Sequence, residues 1–267
     1  MRSETAPAGR TRPELPEAPD AAGSARVTPV DAMLLGTVLL WALNITVTKY
    51  MFEHGWLPLA YATLRYFAAI ALFWIFTYRR EGSFRIARKD VPLVLLAALM
   101  IFLNQISFVY GVKLTHASTV ALLLGTTPVF IGLISVALGL EQLPGSFWIG
   151  AAITFVGVAF VAAGAGNGIG SSLAGDAIAV ATAATWAGYT VTIAPLMRRY
   201  SPYRISALVL AVGWVPLALL SVGQIRAQEF SFGWKVWLGF GYAVCGLGRA
   251  STRKLAPVPA IHAAAVP

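Results

Sequence analysis

Long apolar runs alternate with short polar connections along most of the chain. The runs are Ala32–Thr48, Leu57–Tyr78, Val91–Val112, Ala117–Leu140, Leu143–Gly175, Ala177–Met197 and Ile205–Gln224. Most reach the ~20 residues a helix needs to cross a bilayer. The first is slightly shorter, and the second holds one charge, Arg65. Only helices and closed barrels satisfy backbone groups in lipid, and barrel strands would alternate apolar and polar over about ten residues. These runs do not alternate, so the pattern predicts an all-α membrane protein with seven full transmembrane helices. An eighth run, Val236–Gly248, would span only about 20 Å as helix, short of the ~30 Å hydrocarbon core. Residues 1–30, rich in Pro, Ala, Glu and Arg, read as a disordered cytoplasmic tail. They do not read as a signal peptide, because no apolar core follows the arginines before Met33.

The pattern repeats. Asp31 opens DAMLLGTVLLWALNITVTK, and Asp176 opens DAIAVATAATWAGYTVTIA, 145 residues later. In that register Asp31 meets Asp176, Thr37 meets Thr182 and Trp41 meets Trp186. A coincident Asp and Trp carry weight in a chain with few of either. Five spans precede the second copy. An odd number inverts it, an arrangement typical of secondary transporters with a site near the midplane.

Polar positions inside the spans then become the candidate chemistry. Thr37, Trp41, Asn44 and Thr48 share one helical face, and Thr182, Trp186 and Tyr189 repeat it. Such a stripe serves either as interhelical glue or as pathway lining, since both uses demand the same spacing. Tyr61 and Arg65 share a face of the second span, and Arg65 lies roughly 12 Å from its start. An arginine at that depth needs water, a carbonyl or an anionic ligand, unless it snorkels or ties a helix end. The third span carries Asn104, Gln105, Ser107 and Tyr110 in its outer half. His116 follows, and a lone interfacial histidine reads as a surface group rather than a proton relay. In the fourth span Pro128 frees the carbonyl of Leu124 beside the hydroxyls of Thr126 and Thr127. The alternatives there are a polar kink facing a cavity and a purely structural bend. Glycines recur every seven residues at 125, 132 and 139 and again at 150, 157 and 164. Each set forms a small seam, which predicts that the fourth and fifth spans pack together as a hairpin.

Composition sharpens this picture. Charged residues make up 12% of the chain and hydrophobic residues 58%, too few charges for a water-facing surface. The net charge of +9 is placed rather than spread. Arg2, Arg10, Arg12 and Arg26 precede the first span, Arg79, Arg80, Arg85, Arg88 and Lys89 follow the second, and Arg198, Arg199 and Arg204 follow the sixth. Arg249, Arg253 and Lys254 follow the eighth run. All fall on one side when the N-terminus is inside, which is the positive-inside bias. No basic face with interleaved aromatics points to nucleic acid. The single cysteine, Cys245, excludes an intramolecular disulfide and a multi-cysteine metal site. The glycine-rich Gly164–Gly170 lacks a preceding strand and a following Lys-Ser/Thr, so it reads as a linker and not as a nucleotide loop. No cofactor or metal is implied.

The residues resemble the drug/metabolite transporter superfamily in its EamA-like branch. Trp41-Ala-Leu-Asn44, Pro58, Leu64-Arg65-Tyr66 and Tyr110-Gly111 leading into Ala117–Ala121 carry the resemblance. So do Pro128-Val-Phe130, Gly139-Leu-Glu141, Gly150, Gly157, Gly175-Asp176 and Trp186-Ala187. The order and spacing of these elements, over roughly Ala32 to Gly248, make the match. The resemblance implies ten helices in two inverted five-helix repeats, a central cavity from helices one to four and six to nine, and movement of small metabolites. On that plan residues 31–164 form the first repeat, 165–175 a linker, 176–248 an incomplete second repeat and 249–267 a tail unlike the family. The chain then reads as cut off within its second repeat. A chain lacking that wall is expected to insert without catalysing transport.

The function this supports is an inner-membrane permease for a small metabolite, an amino acid or similar, working by alternating access. Trp41, Asn44, Thr48, Tyr61, Arg65, Asn104, Thr127, Trp186 and Tyr189 form the expected pathway. Aromatic rings would bound the substrate, amides would orient it, and Arg65 is suited to a carboxylate. The partners are the lipid bilayer, the substrate and a second copy of the chain as a homodimer. The alternatives are a non-transporting membrane subunit and a membrane-embedded enzyme. The enzyme is disfavoured: Asp31 and Asp176 begin helices that run in opposite directions, no H-E-x-x-H occurs, and no mid-span Ser–His pair is present.

Overall fold

The computed structural model describes residues 29–165 and 173–253. The expected N-terminal tail, most of the linker and residues 254–267 lie outside them. Within the chain one compact unit ends at Gly36 and a second begins at Thr37; the architecture below is that of the second. The described residues are helical, without strands. The helices are α1 (Pro29–Glu53), α2 (Pro58–Glu81), α3 (Val91–Leu114), α4 (Ala117–Leu124), α5 (Thr127–Ala137), α6 (Gly145–Ala165), α7 (Leu173–Met197), α8 (Pro202–Ala227) and α9 (Trp234–Arg253).

Five spans among the described residues are long and apolar enough to cross a membrane: α2, α3 with the short turn before it, α4 joined to α5, α7 and α8. The two further expected spans lie in α1 and α6, whose side chains are described only in part. Large apolar side chains such as Phe160, Leu219 and Ile153 point outward and stay exposed, as a lipid-facing surface requires. The last helix is longer than the apolar run suggested, because α9 continues through Arg249 to Arg253, 20 residues in all. Helix formation followed the backbone rather than the limit of uncharged sequence. At the other end of the linker, α7 already begins at Leu173.

Proline sets several helix starts. Pro58, Pro92 and Pro202 sit in the first turn of α2, α3 and α8, where a missing N–H costs nothing. The α2 end is closed by Gly82 in the left-handed conformation, which a residue with a Cβ adopts at a cost.

The central packing is α3 against α7, with α2 against α8 beside it. Glycine decides how close α3 and α7 come. A Cβ on Gly175 would lie 2.9 Å from the backbone of Leu114, one on Gly111 would lie 3.4 Å from Ala179, and one on Gly188 would lie 3.0 Å from Met100 Sδ. These pairs descend one helix while climbing the other, so the two helices are antiparallel. The expected glycine seam between the fourth and fifth spans is not formed. Gly132 does face Phe147 and Leu143, but Gly150 and Gly157 face open space. Contact between α5 and α6 comes instead from Phe130 against Phe155, 5.9 Å apart. A seven-residue repeat fixes a stripe on a helix; which neighbour fills it depends on the whole bundle.

Two polar clusters tie opposite ends of the bundle. At one, Lys49 Nζ donates to the carbonyls of Val112, Lys113 and Thr115 at 3.1, 3.2 and 2.9 Å. The charge thereby meets the orphan carbonyls at the C-terminus of α3. Thr115 Oγ1 then donates to Asp176 Oδ1 at 2.7 Å, bringing in the start of α7. The end of α1 therefore meets the start of α7, and these two helices run in opposite directions. At the same end, Gln228 and Gln224 of the α8 terminus accept from the N–H groups of Leu57 and Leu59, each at 2.8 Å. At the opposite end, Asp90 takes Arg199 and the hydroxyl of Tyr200, and Glu81 takes Arg204 and Ser201. The basic connections after the second and sixth spans thus come together at one end.

Candidate functional site

A cavity of about 670 Å³ opens among the middle turns of the helices. That lies within the ~300–1,000 Å³ of small-molecule sites. It is lined from α1, α2, α3, α4, α5, α7, α8 and α9. Seven of the nine expected pathway residues line it: Trp41, Asn44, Arg65, Asn104, Thr127, Trp186 and Tyr189. Thr48 and Tyr61 do not. They are buried and face each other, Oγ1 to hydroxyl at 3.3 Å, behind the wall rather than in it. The side chain of Thr37 lies outside the described residues.

Aromatic side chains form one wall. Trp41 meets Trp186 edge to face with centroids 5.1 Å apart, and Trp186 lies 5.4 Å from Tyr189. Trp41 and Trp186 are the residues matched by the internal repeat, here brought into contact from two antiparallel helices.

The polar side of the cavity is one connected chain. Arg65 Nη2 donates to Gln105 Oε1 at 2.8 Å, and Gln105 Nε2 donates to Asn104 Oδ1 at 3.2 Å. Asn104 Nδ2 donates to the carbonyl of Thr182 at 2.9 Å. That carbonyl also accepts from Thr185 Oγ1. The chain therefore runs from α2 through α3 to α7. Arg65 is 2% exposed, so it neither snorkels nor ties a helix end. Three rings surround its guanidinium, Tyr61 at 5.2 Å and Tyr66 and Phe108 each at 5.6 Å. Its Nε and Nη1, and Asn44 Oδ1, are buried without a partner among the described residues.

The break in the fourth span is local and self-satisfied. Thr127 Oγ1 donates to the carbonyl of Leu124 at 2.6 Å, and Thr126 Oγ1 to that of Leu123 at 2.7 Å. The carbonyl freed by Pro128 is thus taken by the neighbouring hydroxyl, and little backbone polarity is left over for a ligand. Gly125, Thr127 and Pro128 still form part of the wall. His116 is exposed at the start of α4.

The expected pathway left out four contributors. Gln105 positions Arg65; its mid-span amide was visible in the sequence, but its direction was not. Tyr66 and Phe108 supply aromatic faces to the guanidinium, and nothing in their sequence context separates them from ordinary lipid-facing rings. Tyr242 of α9 also lines the cavity and donates to the carbonyl of Leu40 at 2.9 Å. Among the described residues no group of His, Cys, Asp and Glu is arranged to hold a metal ion.

Apolar spans around a largely apolar cavity with one polar side mark a multi-pass membrane protein of the transporter class. The sequence profile of the EamA-like transporter family matches residues 28–163, and the chain belongs to that family, within the drug/metabolite transporter superfamily. Over 205 residues it is 25% identical to the uncharacterized transporter YetK of Bacillus subtilis, covering 75% of this chain and 62% of that protein. It is 26% identical over 194 residues to an uncharacterized transporter of Archaeoglobus fulgidus, covering 72% of this chain and 67% of that one. A solved crystal structure shares the fold with a TM-score of 0.56 at 19% identity, over 84% of this chain and 77% of its own.

Proposed function

We propose that the chain acts as a permease, moving a small organic metabolite across the inner (plasma) membrane by alternating access, with its N-terminus in the cytoplasm. The observation that carries this reading is the cavity itself. Its walls come from α1–α5, which precede the linker, and from α7–α9, which follow it.

Two features support an inverted repeat behind it. The residues matched at the 145-residue offset, Trp41 and Trp186, meet across the cavity, and their helices run in opposite directions. On this plan α1–α6 form the first repeat, beginning near residue 31, and α7–α9 belong to the second, beginning near Asp176. The full spans are the five described together with α1 and α6, and α9 is the third helix of the second repeat. Rocking one half against the other would then expose the site alternately. The polar ties between the halves, Thr115–Asp176 at one end and Asp90–Arg199 at the other, are the contacts that such rocking must part.

Flux tests this reading. The purified chain in proteoliposomes separates this reading from insertion without transport: saturable uptake of its substrate above that of empty liposomes is the outcome the permease reading requires. The screen would cover small organic anions, zwitterions and amines. Binding without any flux would instead assign the chain to a non-transporting membrane subunit.

A further inference from the structure

We infer that the cavity selects an organic monoanion, a carboxylate carried on a flat apolar body, over the zwitterion of the same skeleton. The inference rests on the cavity being the substrate site.

Among the described residues Arg65 is the only charged side chain lining the cavity; no described Asp, Glu, Lys or His joins it there. A buried charge is tolerated when it is paired and hydrogen-bonded. Arg65 has one neutral acceptor, Gln105 Oε1, while Nε and Nη1 have none among the described residues. Among the described residues, buried Asp90 is committed to Arg199 and Tyr200, buried Asp176 to Thr115, and half-buried Glu81 to Arg204. Glu53, Glu141 and Glu229 are exposed. The surrounding rings attract the cation by their faces, but a face accepts no strong hydrogen bond in the plane of the guanidinium. The group that completes Arg65 is a planar two-oxygen acceptor, for which the guanidinium fork has matching geometry.

The rest of the cavity says what that carboxylate is attached to. Trp41, Trp186 and Tyr189 offer flat apolar surface. An ammonium group would find no carboxylate there. The side-chain acceptors it would meet among the described lining residues are neutral, Asn44 Oδ1 and the hydroxyls of Tyr189 and Ser206 among them, and none balances its charge. Arg65 would also repel it through a low-dielectric interior. A zwitterion therefore gains at one end and loses at the other, and a simple amine loses at both. Gln105 is the positioning residue: it takes one of the two Nη2 hydrogens, so a carboxylate that bridges two nitrogens shares Nη2 with it and takes Nη1 or Nε as the second donor.

Four probes of one size separate the possibilities: 3-phenylpropionate, phenylalanine, 3-phenylpropylamine and 3-phenylpropionamide. Binding of radiolabelled 3-phenylpropionate to the detergent-purified chain is competed with the other three. The anion is expected to bind at least about tenfold more tightly than each of them, the scale of one charged hydrogen bond. Arg65→Gln should abolish anion binding without lowering the melting temperature, since it removes an incompletely paired buried charge. Arg65→Lys should keep the preference for the anion but weaken it about tenfold, since a point charge replaces the fork. Should Arg65→Gln fail to fold, Arg65→Lys and the amide comparison decide alone. Equal competition by phenylalanine or the amide, undiminished binding by Arg65→Gln, or no anion binding at all would each overturn the inference. Failure of the transport reading looks different. Flux of phenylalanine without preference for the anion leaves the permease standing and removes the anion site, whereas anion binding without flux does the reverse.

Discussion

At the scale of single residues, the glycines show how differently the same residue type is used. Gly175 lies where an added Cβ would meet the backbone of Leu114 at 2.9 Å, and backbone cannot step aside as a side-chain tip can. Gly175→Ala is expected to destabilise the protein by about 1–3 kcal/mol, the usual cost of overpacking. It should lower the detergent melting temperature. Gly157 has nothing within 4 Å of its added Cβ, so Gly157→Ala should leave that temperature unchanged or raise it through better helix propensity. Equal effects at the two positions would contradict the α3–α7 seam. Lys49 gives a second test. Its three carbonyl contacts cap α3, and Lys49→Met removes all of them while keeping most of the aliphatic stem. The expected loss is roughly 1.5–3 kcal/mol, as for hydrogen bonds to a charged group, seen as a lower melting temperature.

At the scale of elements, the broken fourth span depends on its own hydroxyls. Thr127→Val keeps the shape and removes the hydrogen bond to the Leu124 carbonyl, leaving that oxygen unpaired beside the cavity. Faster amide hydrogen exchange is expected in α5, near Phe130, at a cost of about 1–3 kcal/mol for an unsatisfied buried group. Unchanged exchange would mean that the break is held by Pro128 and packing alone. The tie between the second and sixth connections behaves similarly. Asp90 is buried and accepts from both Arg199 and Tyr200. Asp90→Leu should loosen the turn at Arg88–Asp90, read as earlier proteolytic cleavage there.

At the scale of the whole molecule, orientation is the open quantity that sequence charge speaks to. The basic connections meet at one end of the bundle, and on the proposed topology that end is the cytoplasmic one. In a variant lacking Cys245, a cysteine at Ser171 should react with an impermeant thiol reagent added to intact cells, and one at Ser83 should not. The reverse pattern would invert the protein in the membrane and reverse which tie faces the cytoplasm.

Hydrophobic periodicity and length by themselves determined the class of fold. Uncharged runs near 20 residues leave the backbone little choice but helix in lipid, and the described helices follow those runs. The repeated Asp and Trp also marked two helices that the structure brings together at one cavity. Depth was legible for Arg65, Asn44 and Asn104, because a polar group in the middle of an apolar run must face protein or water. Partnership was not. Thr48 and Tyr61 had the same spacing as the lining residues but turn toward each other, and Gly150 and Gly157 of α6 face open space while Gly175 and Gly188 of α7 meet α3. Helical spacing fixes which residues share a face. Only the packed bundle decides what that face meets, because in a membrane every apolar side competes for lipid and for neighbouring helices on nearly equal terms. The pairing of Arg65 with Gln105, with no carboxylate beside it among the described residues, belongs to that second kind of information.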